Sequence, residues 1–171
     1  KTGAFTTSAI QLIDPEKEEL QCLIMAPTRE LATQIHKVLT DLGTFVTYIN
    51  AKLFVGGKSM EDDISSLRDK PKIAVGTPGR IHDLMRRKQI NGQTIKTIYL
   101  DEADEMLSAG FKEQIYNIFH YLGTDVQVCL FSATLPEEIH ILTEKFMRDP
   151  VKILVKADAV TLEGIDQYYV A

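Results

Sequence analysis

Short apolar runs alternate with longer amphipathic stretches along most of the chain. Most of these runs are apolar throughout, which is typical of strands whose two faces are both covered by helices. The stretches between them repeat apolar residues at helical spacing, so each would bury one stripe on a sheet. The pattern predicts strands over residues 20–26, 52–55, 72–75, 97–100, 127–131 and 151–155.

The predicted helices have recognisable ends. Thr28 and Ser59 stand where an N-cap residue belongs, and Pro136 precedes acidic residues typical of a first helical turn. The helix after Pro136 should end before Asp149 and Pro150. The two clearest apolar stripes comprise Leu31, Ile35, Val38, Leu39 and Leu42, and then Phe111, Ile115, Ile118, Phe119 and Leu122.

The alternation of strands and helices predicts an α/β fold, with an open, mostly parallel sheet and helices on both faces. The 171 residues, of which 44% are hydrophobic, suffice for one such domain and not for two. We therefore expect one domain over residues 1–157. Residues 158–171 would form a connector whose apolar end belongs to whatever follows.

The amino-acid composition narrows the classes of protein to which the chain could belong. The chain has 24 Asp and Glu against 19 Lys and Arg, so nucleic-acid binding by bulk attraction is not expected. Cys22 and Cys129 lie in apolar runs without a second metal ligand at suitable spacing, so we expect reduced core thiols. No apolar run is long enough to span a bilayer and no secretory signal opens the chain. The expected location is cytoplasmic, with the nucleus as the other possibility.

The strongest chemical signal is the run Asp101-Glu102-Ala103-Asp104, which follows an apolar strand. In an open parallel sheet, ligands bind beyond the carboxyl ends of the strands, so these carboxylates would face a binding crevice. Mg²⁺ is usually held by one or two carboxylates plus phosphates, which gives Asp101 a role as metal anchor. Glu102 would polarise an attacking water. The alternative is an ordinary acidic helix N-terminus, which the helix dipole stabilises.

The chain opens on Lys1-Thr2-Gly3, followed by a helix-compatible stretch. Lys1 and Thr2 match the last two positions of a phosphate-binding loop, in which the lysine meets the outer phosphates and the hydroxyl binds magnesium. Taken alone, a terminal Lys-Thr is an accident more often than a motif. The carboxylate-bearing strand further along the chain is what favours the functional interpretation.

Ser132-Ala133-Thr134 follows the strand predicted over residues 127–131. One interpretation is a strand-to-helix turn in which Ser132 or Thr134 caps the next helix. The other is that the two hydroxyls hydrogen-bond the Asp104 carboxylate and so link the nucleotide state to the rest of the domain. The residues themselves leave both interpretations open.

Three further runs each follow a predicted strand: PTRELA at 27–32, the glycine pair Gly56-Gly57, and TPGR at 77–80. Hydroxyls, arginines, exposed amides and helix N-termini are groups that bind phosphodiesters without reading bases. Because they follow successive strands, the runs should cluster on one side of the sheet and bind RNA with little sequence preference. Each also has an ordinary interpretation as a turn or loop, and Arg29 has neighbouring glutamates as alternative partners.

In this order, PTRELA, GG, TPGR, DEAD and SAT resemble the first-lobe motifs of DEAD-box ATP-dependent RNA helicases, from Lys1 to about Ala171. DEADEMLSAGFKEQIY, FMRDP and TLEGIDQYYV look most like the eukaryotic translation initiation factor 4A group and its relatives in splicing and exon-junction work. The resemblance implies a single RecA-like lobe that lacks its N-terminal part, with the connector leading toward a second lobe. It also implies RNA-stimulated ATP hydrolysis coupled to RNA remodelling, with translation initiation as the setting.

The resemblance assigns roles residue by residue. Lys1, Thr2 and Gly3 would bind ATP, with Thr2 and Asp101 holding Mg²⁺ mostly through water. The residues implied in catalysis and coupling are Asp101, Glu102, Asp104, Ser132 and Thr134. Those implied on the path of the RNA backbone are Pro27, Thr28, Arg29, Gly57, Thr77, Gly79 and Arg80.

The chain departs from the family pattern in two respects. Lys58 stands where a threonine often follows the glycine pair, so the hydroxyl that would contact RNA from that loop is missing. The adenine-recognition segment, the front of the phosphate loop with its strand, and the arginine-bearing second lobe are not in the sequence. An arginine finger alone is worth about 10³ to 10⁵ in rate, so this stretch by itself should have negligible ATPase activity. Without the missing strand it would also expose two unpaired strand edges.

Two other functions remain open. A non-hydrolysing module would bind RNA or a scaffold protein through the same sheet edge while retaining the ATPase residues. A DNA translocase of the same broad fold would respond to DNA, because the 2′-hydroxyl is what distinguishes the two kinds of strand.

Overall fold

The computed structural model describes residues 1–154 of the chain. Helices and strands alternate along them, as the apolar pattern predicts. The strands are β1 Cys22–Met25, β2 Ala51–Phe54, β3 Ile73–Gly76, β4 Thr97–Leu100 and β5 Gln127–Leu130. The α-helices are α1 Thr2–Gln11, α2 Arg29–Gly43, α3 Met60–Leu67, α4 Pro78–Arg86, α5 Ala103–Ser108, α6 Lys112–Tyr121 and α7 Glu137–Phe146.

The five strands form one parallel sheet in the order β2-β3-β1-β4-β5. The last residues of neighbouring strands are paired: Met25 with Gly76 and with Leu100, and Leu100 with Leu130. All five carboxyl ends therefore lie at one rim, which we call the carboxyl rim. Every segment that follows a strand begins there.

Each face of the sheet is covered by its own hydrophobic core. On one face, Cys22, Ile24 and Tyr99 pack among buried side chains of α1 and α2. On the other face, Leu23, Met25 and Leu100 pack among those of α4, α5, α6 and α7. Alternate residues of one strand thus enter opposite cores, and β1, β3 and β4 are buried throughout. This confirms the predicted RecA-like α/β lobe, an open parallel sheet with helices on both faces.

Local signals place most helix boundaries as expected. The Thr28 hydroxyl accepts the Leu31 N–H, and the Ser59 hydroxyl accepts the N–H groups of Glu61 and Asp62, so both residues cap their helices. α7 ends at Phe146, before Asp149, as predicted. The predicted apolar stripe of α2 has one error: Leu42, in the last turn of that helix, is 43% exposed.

One predicted strand is wrong over its described part. Residues 151–154 belong to no strand, and the side chains of Val151 and Ile153 are 89% and 90% exposed. An apolar run becomes a strand only where a neighbouring strand satisfies its backbone hydrogen bonds, and none within residues 1–154 pairs with it. Val155 and the predicted connector over residues 158–171 lie outside the described residues.

Both thiols are free, as predicted. Cys22 is fully buried in β1, and its burial raises the pKa of the thiol to about 12. Cys129, in the edge strand β5, is half-buried, and burial raises its pKa as well. Over residues 1–154, the helices are too short or too polar to cross a bilayer.

Candidate functional site

The carboxyl rim brings together the motifs that follow the strands. The backbone ladder extends one residue past the strand ends, since the N–H of Ala26 donates to Gly76, that of Thr77 to Phe54 and that of Asp101 to Met25. Asp101 is therefore fixed at the end of β4. The run from Pro27, the glycine pair and the run from Thr77 begin at the ends of β1, β2 and β3 on the same rim.

Asp101 is a buried carboxylate without a cationic partner among the described residues. It is 5% exposed, and one carboxylate oxygen accepts the N–H of Glu102 at 3.1 Å. Burial raises the pKa of Asp101, while this hydrogen bond and the positive charge of Lys1 oppose the rise. Phe5, one turn after Lys1, packs on Tyr99 and Phe131 near the ends of β4 and β5, which is consistent with Lys1 lying at the same rim as Asp101. A buried carboxylate of this kind favours a bound cation.

Helix α1 is held in place by aromatic packing. The ring of Phe5 lies 5.9 Å from that of Tyr99 and 5.2 Å from that of Phe131, and the Ser8 hydroxyl is 3.0 Å from the Tyr99 hydroxyl. These contacts fix α1 against β4 and the end of β5. Lys1 is its N-cap residue. The first N–H groups of a helix have no acceptor within the helix, so they are available to an anion.

The residues at this end of the rim fit a magnesium nucleotide. Within residues 1–154, no cluster of three or more His, Cys, Asp or Glu side chains is arranged to hold a metal ion. Mg²⁺ needs no such cluster, because one carboxylate together with phosphates and water holds it. Asp101 supplies that carboxylate, and the Thr2 hydroxyl donates no hydrogen bond to a described residue. Gly3 is open, with no atom within 4 Å of the place where a Cβ would be.

Glu102 has a strained backbone between two anchored neighbours. Its φ of 52° and ψ of 51° lie in the left-handed region, which residues other than glycine rarely adopt. The N–H of Asp101 is tied to Met25 in β1, and that of Ala103 donates to Phe131, just beyond β5, at 3.0 Å. These two anchors explain the conformation in between. They leave the Glu102 side chain exposed at the rim, next to the buried Asp101.

Asp104 is joined to Thr134 across the ends of β4 and β5. Its carboxylate accepts the Thr134 hydroxyl at 2.6 Å and the Thr134 N–H at 3.0 Å. The Ser132 hydroxyl donates instead to the carbonyl of Thr134 at 2.6 Å. The expected bond between hydroxyl and Asp104 is therefore present for Thr134. Ser132 donates its one hydroxyl proton to the carbonyl in this geometry, yet it lies near enough to Asp104 to help lower the pKa of that carboxyl.

The remaining motifs line an open cleft of about 610 Å³ beside the ends of β1, β2 and β3. The predicted RNA-path residues Pro27, Thr28, Arg29, Thr77, Gly79 and Arg80 all line it, together with Glu30, Gly56, Met60, Asp83 and Phe111. Gly57 does not line the cleft, and the guanidinium of Arg29 lies against it. The structure therefore groups the three motifs on one side of the sheet.

Arg80 is largely committed to the protein itself. Its guanidinium forms an ion pair with Asp63 at 2.7 Å and donates to the carbonyl of Lys58 at 2.6 Å. The side chains of Arg80 and Asp63 are only 10% and 6% exposed. Burial raises the pKa of Asp63, and the charge and hydrogen bonding of Arg80 counteract this rise. Arg80 lies at the cleft, but few of its N–H groups remain for a ligand.

Sequence reasoning missed two acidic residues: Asp83, which lines this cleft, and Asp63, which pairs with Arg80 beside it. Asp63 resembles any carboxylate in a first helical turn, so only the fold reveals its pairing with Arg80. Asp83 accepts from Arg86 at 2.6 Å and from Arg87 at 3.1 Å, and these bonds hold its pKa down against its burial. The spacing of three and four residues on one helix was a signal for the Asp83 pairs.

The sheet order and the covering helices define an α/β lobe of RecA type. The profile of the DEAD/DEAH box helicase family matches residues 1–142, and the chain belongs to that family. It is 52% identical to the ATP-dependent RNA helicases eIF4A of Chaetomium globosum and Neurospora crassa over all 171 residues. The chain covers 43% of the length of these two relatives.

Solved structures agree with this assignment. A DEAD box protein from Methanococcus jannaschii, 36% identical, superposes with a TM-score of 0.80 over 86% of this chain and 40% of its own. S. cerevisiae Dbp5 bound to RNA and ADP BeF3, 32% identical, gives a TM-score of 0.84 over 97% of this chain and 41% of its own. The similarity thus extends to a relative that holds RNA and a nucleotide.

Proposed function

We propose that this chain is the lobe of an ATP-dependent RNA helicase that contacts both nucleotide and RNA. One observation carries the proposal: a buried carboxylate beside Lys1 and a cleft lined by phosphodiester-binding groups lie at the same sheet rim. The relatives named eIF4A and the RNA-bound Dbp5 support RNA as the substrate class.

At the nucleotide end, Lys1, Thr2 and the first amides of α1 bind the phosphates, while Asp101 and Thr2 hold Mg²⁺. Bound Mg²⁺ supplies charge neutralisation to the phosphoryl group in transfer. Glu102 is exposed beside Asp101, where it accepts the proton of the attacking water. Phosphoryl transfer depends on positioning, and the buried Asp101 and the anchored turn at Glu102 provide it.

At the RNA end, Thr28, Arg29 and the amides at the start of α4 bind phosphate oxygens without reading bases. The pair formed by Asp104 and Thr134 ties the turn after β4, which carries Glu102, to the turn after β5. A change at the nucleotide therefore reaches the segment that leads into α7. This connection couples ATP hydrolysis to the remodelling of bound RNA.

The cellular setting follows from the relatives. Their name, eIF4A, supports a role in translation initiation, and we propose the cytoplasm as the location, with the nucleus as the alternative. A variant of S. cerevisiae Dbp5 is bound to Nup159 and Gle1, which supports a scaffold protein as a further partner of this lobe.

The proposal is tested by changing Glu102→Gln in the complete protein and measuring ATP turnover with RNA and with DNA of the same sequence. General-base catalysis contributes about 10² to 10⁴ in rate, so RNA-stimulated turnover should fall by about a hundredfold or more. Glu105→Gln is the matched control, an exposed glutamate in the first turn of α5, the helix that Glu102 precedes.

The other outcomes separate the alternatives. Undiminished turnover in a folded Glu102→Gln protein would remove Glu102 from the mechanism. RNA binding without any nucleotide binding would favour the non-hydrolysing module. Equal stimulation by DNA and RNA would favour a DNA translocase, because the 2′-hydroxyl would then play no part.

A further inference from the structure

The guanidinium of Arg29 occupies the space that side chains at Gly56 and Gly57 would fill. A Cβ on Gly57 would lie 2.6 Å from Nη1 of Arg29, closer than real Cβ contacts, and 3.1 Å from its Cζ, so the guanidinium would have to move. A Cβ on Gly56 would lie 3.3 Å from Nη2. Gly57 also has a φ of +85°, which favours glycine. The guanidinium of Arg29 therefore packs directly on the backbone of Gly56 and Gly57, and we call this pair the glycine seat.

The other half of the same loop is held by Arg80. Its Nη2 donates to the carbonyl of Lys58 at 2.6 Å, and its Nη1 lies 2.7 Å from Asp63, which is in the first turn of α3. This nearly buried ion pair ties the loop to the starts of α3 and α4. The loop therefore presents a fixed surface to Arg29.

Arg29 and Arg80 differ in how many of their N–H donors remain available to a ligand. Arg80 donates hydrogen bonds to Asp63 and to the carbonyl of Lys58. The Arg29 guanidinium, by contrast, makes no hydrogen bond or ion pair with any residue in the described range 1–154. Arg29 nonetheless lines the cleft and rests on the glycine seat. An exposed guanidinium that rests against the loop backbone with its donors open is suited to a phosphate oxygen, which it binds through charge-assisted hydrogen bonds.

We propose that Gly56 and Gly57 are positioning residues that act through Arg29, holding its guanidinium where an RNA phosphate passes, while Arg80 fixes the loop that seats it. This inference rests on the proposed RNA binding of the cleft. It assigns to the glycine pair a role other than direct contact with RNA, and it separates the phosphate-binding arginine from the bracing one.

The test uses Gly57→Ala in the complete protein, with the Kd for a labelled single-stranded oligouridine measured in ADP and BeF3 over a series of salt concentrations. Loss of one charge-assisted contact should weaken binding about tenfold. It should also reduce the magnitude of the salt slope by about 0.7, since one phosphate is no longer neutralised. A purely structural defect would leave that slope unchanged.

Gly110→Ala is the matched control for backbone strain. Gly110 has the same φ of +85°, but nothing lies within 4 Å of the place where its Cβ would be. It should therefore suffer similar strain without loss of affinity or change of slope. Gly56→Ala has an ordinary φ and a milder clash with Arg29, so a loss of about threefold is expected even if Gly57→Ala fails to fold.

A double-mutant cycle decides the route of the effect. If the glycines act through Arg29, then Gly57→Ala, or Gly56→Ala, costs no further affinity in an Arg29→Ala background. Additive losses would overturn the inference, because the glycines would then act on RNA independently of Arg29. If Arg29→Ala alone leaves RNA affinity and salt slope unchanged, the proposed RNA path through Arg29 fails, and the inference fails with it.

Discussion

The Asp104 carboxylate accepts two hydrogen bonds from Thr134, one from the hydroxyl at 2.6 Å and one from the backbone N–H at 3.0 Å. Partial burial alone would raise the pKa of Asp104, but hydrogen bonding from Thr134, together with Ser132 and the backbone N–H of Glu105, outweighs it and holds the pKa below its usual value. The Ser132 hydroxyl donates to the carbonyl of Thr134 and so helps to hold the backbone of Thr134 in this position. The contact joins the turns after β4 and β5, and one of its two bonds is removable by substitution.

We predict that Thr134→Val lowers the free energy of unfolding by about 1 kcal/mol near neutral pH, because it removes one charge-assisted donor from a partly exposed carboxylate. A depressed pKa in the folded state adds stability above the ordinary carboxyl pKa, and that stability disappears as pH falls through the folded value. The difference between wild type and variant should therefore vanish in strong acid. Urea unfolding over a pH series measures it.

Thr143→Val is the control for the Thr134 variant. The Thr143 hydroxyl donates to a neutral acceptor, the carbonyl of Ile139 in the same helix. Its loss should cost the same at every pH. An effect of Thr134→Val that persists undiminished in acid would show that Asp104 is not the group the hydroxyl stabilises.

Removal of Arg80 should be far more costly than removal of an ordinary surface arginine. Its partner Asp63 is 6% exposed, and breaking a buried pair by removing one member costs about 3 to 5 kcal/mol. Arg80→Ala should therefore lower the free energy of unfolding by about that amount in urea titrations. Arg68→Ala, at an exposed residue beside α3, is the control and should change it by no more than about 0.5 kcal/mol.

The stability of the Arg80→Ala variant should depend on pH in a distinctive way. The pKa of Asp63 is already raised by burial, and it rises further when Arg80 no longer opposes that burial. A carboxyl whose folded pKa is raised costs stability above that pKa and ceases to do so once protonated. Arg80→Ala should thus regain stability as pH falls through the raised pKa of Asp63. A loss that is independent of pH would argue against an unpaired Asp63 as its cause.

The sequence was sufficient wherever position along a strand determines position in space. Asp101 and Thr77 follow strands, parallel strands end at one rim, and the motifs were therefore predicted to meet there. The sequence did not allow us to predict contacts that depend on how two helices approach each other. The pair of Asp63 and Arg80 joins the starts of α3 and α4 across 17 positions, and no local pattern marks it.

Other differences arise from the same limitation. Residues 151–154 have the composition of a strand, but strand formation depends on a neighbour that composition cannot reveal. The Ser132 hydroxyl donates to the carbonyl of Thr134 two residues later, a contact within the turn that the residue types alone do not reveal. The glycine seat of Arg29 was likewise invisible, since a glycine pair predicts a loop and not what rests on it.

The last prediction separates strain from chemistry at Glu102. Its backbone lies in the left-handed region, a conformation with little free-energy cost for glycine and a cost of about 1 kcal/mol or more for other residues. Glu102→Gly should therefore raise the free energy of unfolding by about 1 kcal/mol while abolishing RNA-stimulated ATP turnover. Glu105→Gly, inside α5, should do the reverse, lowering stability by about 0.5 to 1 kcal/mol and leaving turnover largely intact. If Glu102→Gly were instead destabilising, the exposed Glu102 side chain would have to contribute more to the fold than its strained backbone costs. Stability and turnover that change in opposite directions would show that the strain is retained for the sake of the site.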